Sequence, residues 1–249
     1  MKKVIINADD FGLTDGCSEG IIKAIKEGMV TSTTVMMNMP YANKELEKLR
    51  AMKFESVGVH LTLTCGKPTL HTEEVPTLID EANNFYRRKD NLFPKMDLGE
   101  VERELRNQIE LFIKTGLKPS HLDSHHHIHM YDGVRQIVAK LAKEYNLPLR
   151  CANTETKKYL EENNILTTDD FSMEFYGERV SVDTIKQIIE NSYGTTVEIM
   201  THPAMVDEEL KNLSSYSNIR LKELEILTNK ELKKWFVENH IRLISFNNI

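Results

Sequence analysis

Val4-Ile5-Ile6-Asn7-Ala8-Asp9-Asp10-Phe11-Gly12 runs from three β-branched apolar residues straight into two adjacent carboxylates. The apolar run reads as a buried strand, and the aspartates follow its carboxyl end. Two later stretches have the same form. Val57-Gly58-Val59-His60-Leu61 is apolar and ends in a histidine, as does Val197-Glu198-Ile199-Met200-Thr201-His202. Thr33 to Met37 and Ile241 to Phe246 read as further strands, and Leu147 to Cys151 as an extended segment. Between them lie helical patterns. Ile21, Ile22, Ala24 and Ile25 form an apolar stripe that Gly28 can end. Asn43 to Lys53, Gly99 to Gly116, Val134 to Tyr145, Ile185 to Ile189 and Leu221 to Phe236 supply the others.

Strands that alternate with helices predict a parallel α/β sheet, open or closed into a barrel. All strand carboxyl ends then lie on one face, where active sites collect. Asp9 and Asp10, His60, Asp123 with His125, and His202 would share that rim. Residues 65–98 break the rhythm. Pro68, Pro76 and Pro94 interrupt them, and one short element near Phe85 is all they suggest. An excursion this long is usually functional, and here it would shape specificity. No repeat, low-complexity tract or linker appears, so residues 1–249 are read as a single catalytic domain.

The composition narrows the function. Of 249 residues, 40% are hydrophobic and 28% charged, the balance of an ordinary globular protein. A net charge of −6 argues against a general nucleic-acid binder. Cys17, Cys65 and Cys151 are far apart and form no C-x-x-C pair. A disulfide scaffold and a cysteine zinc site are therefore not expected. No apolar run approaches the ~20 residues that span a bilayer. The amino terminus turns polar at Asn7 and lacks a signal-peptide core. A cytoplasmic protein without membrane partners is the expectation.

Five of the nine histidines fall within Ser120-His121-Leu122-Asp123-Ser124-His125-His126-His127-Ile128-His129-Met130. Imidazole is the commonest protein metal ligand, and a metal favours its neutral form. Only one or two of these side chains can face a single ion. Alternation along an extended backbone would put His125 and His127 on one side and His126 on the other. Asp123 could ligate, or orient a ligand histidine from behind. One aspartate and two histidines would leave positions open for water and substrate, as catalytic sites require. A carboxylate left free of the metal, Asp9, could deprotonate that water. His202 could protonate a leaving amine.

These motifs, with Gly28-Met29-Val30-Thr31-Ser32-Thr33-Thr34 and Thr201-His202-Pro203, occur in an order that resembles the YdjC-like carbohydrate deacetylases, which include chitooligosaccharide deacetylases. The resemblance implies a distorted (β/α) barrel, TIM-barrel-like and related to polysaccharide deacetylases. It implies hydrolysis of an N-acetyl group on a short acetylated sugar, with release of acetate. It also implies a divalent metal, magnesium first and zinc as the alternative, and a homodimer. The family's metal histidines map onto His60 and His125, with His127 as a rival to His125. By superfamily analogy Asp10 is the third ligand, Asp9 the base and His202 the acid. Arg150 would orient Asp9 or bind substrate. Two other readings compete. A barrel phosphoesterase commonly needs more carboxylates than this chain offers. A non-catalytic metal- or sugar-binding protein has no need of a free carboxylate beside a ligand.

Overall fold

The computed structural model describes residues 1–249. The first strand, β1, runs Lys3–Phe11, so Asp9 and Asp10 lie within it rather than after it. Helix α1, Asp15–Lys26, starts where the Thr14 side chain caps the Cys17 N–H. Strand β2, Ser32–Val35, helix α2, Ala42–Ala51, and strand β3, Val57–Leu61, follow. The excursion holds a 3-10 turn at Thr72–Glu74, a bridge between Ile79 and Phe85, and a short helix α3, Lys89–Leu92. Helix α4, Leu98–Lys114, is capped by the Asp97 side chain and followed by Gly116 at φ +83°. Strand β4, Leu122–Ser124, leads into a 3-10 turn, His125–Met130, and then helix α5, Val134–Glu144.

The second half contains helix α6, Thr154–Glu162, strand β5, Asp170–Ser172, helix α7, Val182–Asn191, and strand β6, Thr196–Thr201. Helices α8, Glu208–Leu213, α9, Ile219–Leu227, and α10, Lys230–Glu238, precede the two-residue strand β7, Arg242–Leu243. The last strand is thus shorter than the sequence suggests, because Phe246–Asn248 turns into a 3-10 helix. Leu147 to Cys151 contributes a single bridge, Leu149 to Leu122. Helix α6 escaped the sequence pattern because only Thr156 and Leu160 of it are buried.

The strands are parallel, in the order β4-β3-β2-β1-β6-β5. Strand β7 pairs with Lys3 and Val4, on the early part of β1 that β2 leaves free. Beyond β4 the sheet curls round through Leu149, whose N–H donates to the Leu166 carbonyl. The expected distorted barrel is what forms, incompletely closed. Before the Asp10 position its strands alternate. Val4, Ile6 and Ala8 join the main apolar core, whereas Ile5 packs with Ile244 and Phe246 in a separate cluster. Asn7 and Asp9 therefore share the side of Ile5. Glu198, in register with Ile5, alternates with core residues Val197 and Ile199 in the same way. His60 and Asp123 are register partners; core residues Val59 and Leu61 flank the first, and core residue Leu122 precedes the second. The inner side is thus a small apolar plug with polar side chains above it. No helix is long and apolar enough to cross a membrane.

Candidate active site

The pairing of β1 with β2 slips between Ala8 and Phe11, which adds one residue on β1. Asp10 sits in that bulge at φ +68°. The break in alternation lets neighbouring carboxylates serve the same cavity with different partners. Arg150 grips Asp9 with both Nη atoms, each at 2.7 Å, and the Asn7 amide adds a third hydrogen bond at 2.8 Å. Asp10 instead accepts from Arg220 through Oδ2 at 2.8 Å. Its Oδ1 lies 2.9 Å from His125 Nδ1 and 3.3 Å from His60 Nε2. Burial alone would raise both carboxyls. The Arg150 charge and hydrogen bonds hold Asp9 well below the usual range, and His125 with Arg220 do the same for Asp10.

Asp10, His60 and His125 bring three potential ligand atoms within 4.8 Å of one another. This donor set fits a divalent metal: one carboxylate and two imidazoles, with positions left for water and substrate. The other ring nitrogen of His60 is 2.8 Å from Asp123, the carboxylate–histidine pairing that fixes a ligand imidazole. A second grouping, Asp9, His60 and Asp123, is close enough on distance. Its carboxylates are already engaged by Arg150, which lies 3.0 Å from Asp123 as well. A cation occupies that place already, and it is a guanidinium.

Arg150 cannot contact a sugar. Its side chain is fully buried, and its guanidinium meets Asp9, Asp123 and Glu198. Of the two roles expected for it, the geometry supports orienting Asp9 and contradicts substrate binding. The histidine alternation also fails, because His126 and His127 adopt left-handed φ of 53° and 51° within a turn. His125 alone of the cluster reaches Asp10. His126 bonds Thr64 at 2.9 Å, His129 contacts the Arg150 carbonyl, and His121 stacks on Phe246. His127 turns its ring edge-on to Phe171, and its Nδ1 has no hydrogen-bond partner. Burial pushes His127 down to about 2 and His126 and His129 to about 3, so all three are neutral.

His202 follows β6 and lines the same cavity as the histidine turn. Burial first, and then Arg220, lowers it to about 4. Glu223 accepts the His202 backbone N–H and lies 4.0 Å from Nδ1. The sequence did not point to Arg220 or Glu223, since charges on a helix ordinarily face water. Glu198 had a signal, a carboxylate between two apolar residues of a buried strand. The cavity measures about 980 Å³. Cys65, Asp80, Arg87 and Lys89 from the excursion form part of its wall.

The family described as YdjC-like protein matches residues 3–238. A protein of Brevibacillus brevis named carbohydrate deacetylase is 41% identical, over 99% of each chain. A crystal structure from Enterococcus faecalis V583, provisionally named a cellobiose-phosphate cleavage protein, is 41% identical with a TM-score of 0.94, covering 99% of this chain and 98% of that one. A CE4-family pseudoenzyme mutant with restored activity shares the fold alone, at 12% identity and a TM-score of 0.52, over 97% of this chain and 65% of its own. With the match running almost end to end, the chain belongs to the YdjC-like protein family.

Proposed function

We propose that the chain is a metal-dependent carbohydrate deacetylase acting as one catalytic domain. Its substrates are short N-acetylated sugars, with chitooligosaccharides first among them. The observation that carries this reading is the division of labour between Asp9 and Asp10. Asp10 joins His60 and His125 in an open metal triad, while Arg150 holds Asp9 beside it, ionised and out of the triad. A divalent ion held there would polarise the acetamide carbonyl and acidify a water. Family resemblance points to magnesium, whereas two imidazoles suit zinc.

The residues divide the remaining work. Asp9 accepts a proton as the water oxygen bonds to the carbonyl carbon. The amide C–N bond then breaks, and His202 hands a proton to the departing nitrogen. Acetate and a free amine result. His202 is neutral at rest, so it takes a proton from solvent as negative charge develops on the substrate beside it, and Asp9 returns its own proton to solvent at the end of the turnover. Asp123 keeps the His60 ring oriented, and Arg220 does the same for Asp10.

Acetate release from N,N′-diacetylchitobiose tests the reading. Release is expected with added Mg²⁺ or Zn²⁺ and is abolished by a chelator. Asp9→Asn should lower turnover by a hundredfold or more, in the general-acid–base range of about 10²–10⁴, while still binding metal. No acetate from a panel of acetylated sugars and metals would overturn the assignment.

A further inference from the structure

Tyr176 is 45% exposed, yet it stands inside the cavity rather than on the outer surface. One face of its ring packs on Tyr216, with centroids 3.9 Å apart and planes 12° from parallel. Both rings lie near His202 at steep angles, at 5.8 Å and 5.7 Å. Tyr216 is the fixed member of the pair. Its hydroxyl donates to buried Glu223 and accepts the Gly177 N–H, and the Arg220 guanidinium lies 5.6 Å from its ring. Met173, on the same segment as Tyr176, is 40% exposed and lines the same cavity. A rigid aromatic face left open to water beside reactive groups suits an apolar face of a ligand. The axial C–H groups of a pyranose supply such a face.

We infer that Tyr176, backed by Tyr216, is the stacking platform for the sugar ring that carries the departing amine. The inference rests on the deacetylase reading, in which His202 serves the nitrogen. A platform beside His202 therefore lies on the sugar side of the breaking bond, away from the acetyl group. A single open ring face, with Tyr216 stacked behind it, makes a short platform, which fits a small oligosaccharide rather than a polymer groove. Tyr176 then governs affinity for the sugar and for the amine product, and leaves acetate untouched.

Calorimetric titration of the full chain with the glucosamine disaccharide, and separately with acetate, tests this. Tyr176→Ala should weaken the amino sugar about five- to tenfold, the range of an aromatic contact, without changing acetate affinity. Tyr176→Phe should stay within twofold of wild type, and Tyr176→Leu should behave like the alanine variant should that one fail to fold. With N,N′-diacetylchitobiose, KM should rise by the same factor at nearly constant kcat. Unchanged amino-sugar affinity in the alanine and leucine variants overturns the platform, as does equal loss of acetate. Equal loss in Tyr176→Phe would assign the effect to the hydroxyl and overturn it too. Wild-type acetate release reports on the deacetylase reading separately, because the titration needs no turnover.

Discussion

Asp9 and Asp10 are neighbours in the chain, yet each depends on its own buried arginine. The buried cluster they belong to has five carboxyls, Asp9, Asp10, Asp123, Glu198 and Glu223, and the cations Arg150 and Arg220. Burial raises Glu198 to about 7 and Glu223 to about 8. His60 rises to about 10: burial opposes its charge, but Asp123 and Asp10 outweigh it. Charge is thus nearly balanced without solvent. Removing Arg150 would break this, since Asp9, Asp123 and Glu198 all lean on it. Arg150→Met should cost about 3–5 kcal/mol in denaturant unfolding, the range for a buried pair that loses one partner. A loss under 1 kcal/mol would show the cluster to be self-sufficient. Glu223 gives a pH signature. Its folded value of about 8 lies above the ordinary 4.5. Its contribution is therefore complete below about 4.5 and disappears as pH rises through about 8. Glu223→Gln should remove a decline on the order of a few kcal/mol between pH 5 and 9. Thermal midpoints against pH read this directly, and parallel curves for variant and wild type would refute it.

At the scale of elements, burial periodicity explains what the sequence disclosed. Strand β3 was legible to the residue, and α2, α4, α5 and α7 within a few residues, because each carries an apolar pattern, whereas the stripe from Ile21 marked only the second half of α1, which begins at Asp15. The short polar strand β5 and the solvent-facing α6 carry none. The split between His125 and His127 was not legible either. It depends on two left-handed backbone angles at non-glycine residues, which no alternation rule anticipates. Helix α1 shows a feature that lies in plain view only after folding. Gly16 and Gly20 sit one turn apart and let the segment after His202 lie against the helix. The Met205 N–H donates to the Gly16 carbonyl at 2.9 Å, and Asp207 accepts from the Gly16 N–H at 2.8 Å. A Cβ on Gly20 would meet the Ala204 Cα at 2.3 Å and the Met205 nitrogen at 2.5 Å. Those atoms are backbone and cannot swing aside. Gly20→Ala should destabilise by about 1–3 kcal/mol through overpacking, despite the ~1 kcal/mol that alanine gains in an ordinary helix. It should also depress turnover, because His202 is carried on the displaced segment. A variant as stable as wild type would mean that this contact is not tight.

At the scale of the molecule, the candidate metal ligands come from distant parts of the chain. Asp10 belongs to β1, His60 to β3 and His125 to the turn after β4. Asp10 lies 2.9 Å from His125 and 3.3 Å from His60, and the two rings meet edge to face. An ion bound there joins three segments that meet only in the folded state, so its binding energy adds to folding. At one hundred times its Kd the ion should contribute about 2.7 kcal/mol. For a chain of this size that is a rise of about 5–11 °C in Tm. The experiment is a pair of thermal melts after chelation, with and without saturating Mg²⁺, repeated with Zn²⁺. His125→Ala supplies the control, because its partly exposed ring can be removed with little damage to the core while one ligand is lost. Wild type should gain stability with at least one of the two ions, and the variant should gain little. The ion with the larger rise at equal concentration is the better ligand for this donor set. Equal rises in wild type and variant would place the ion elsewhere, and no rise with either would remove the triad as its site.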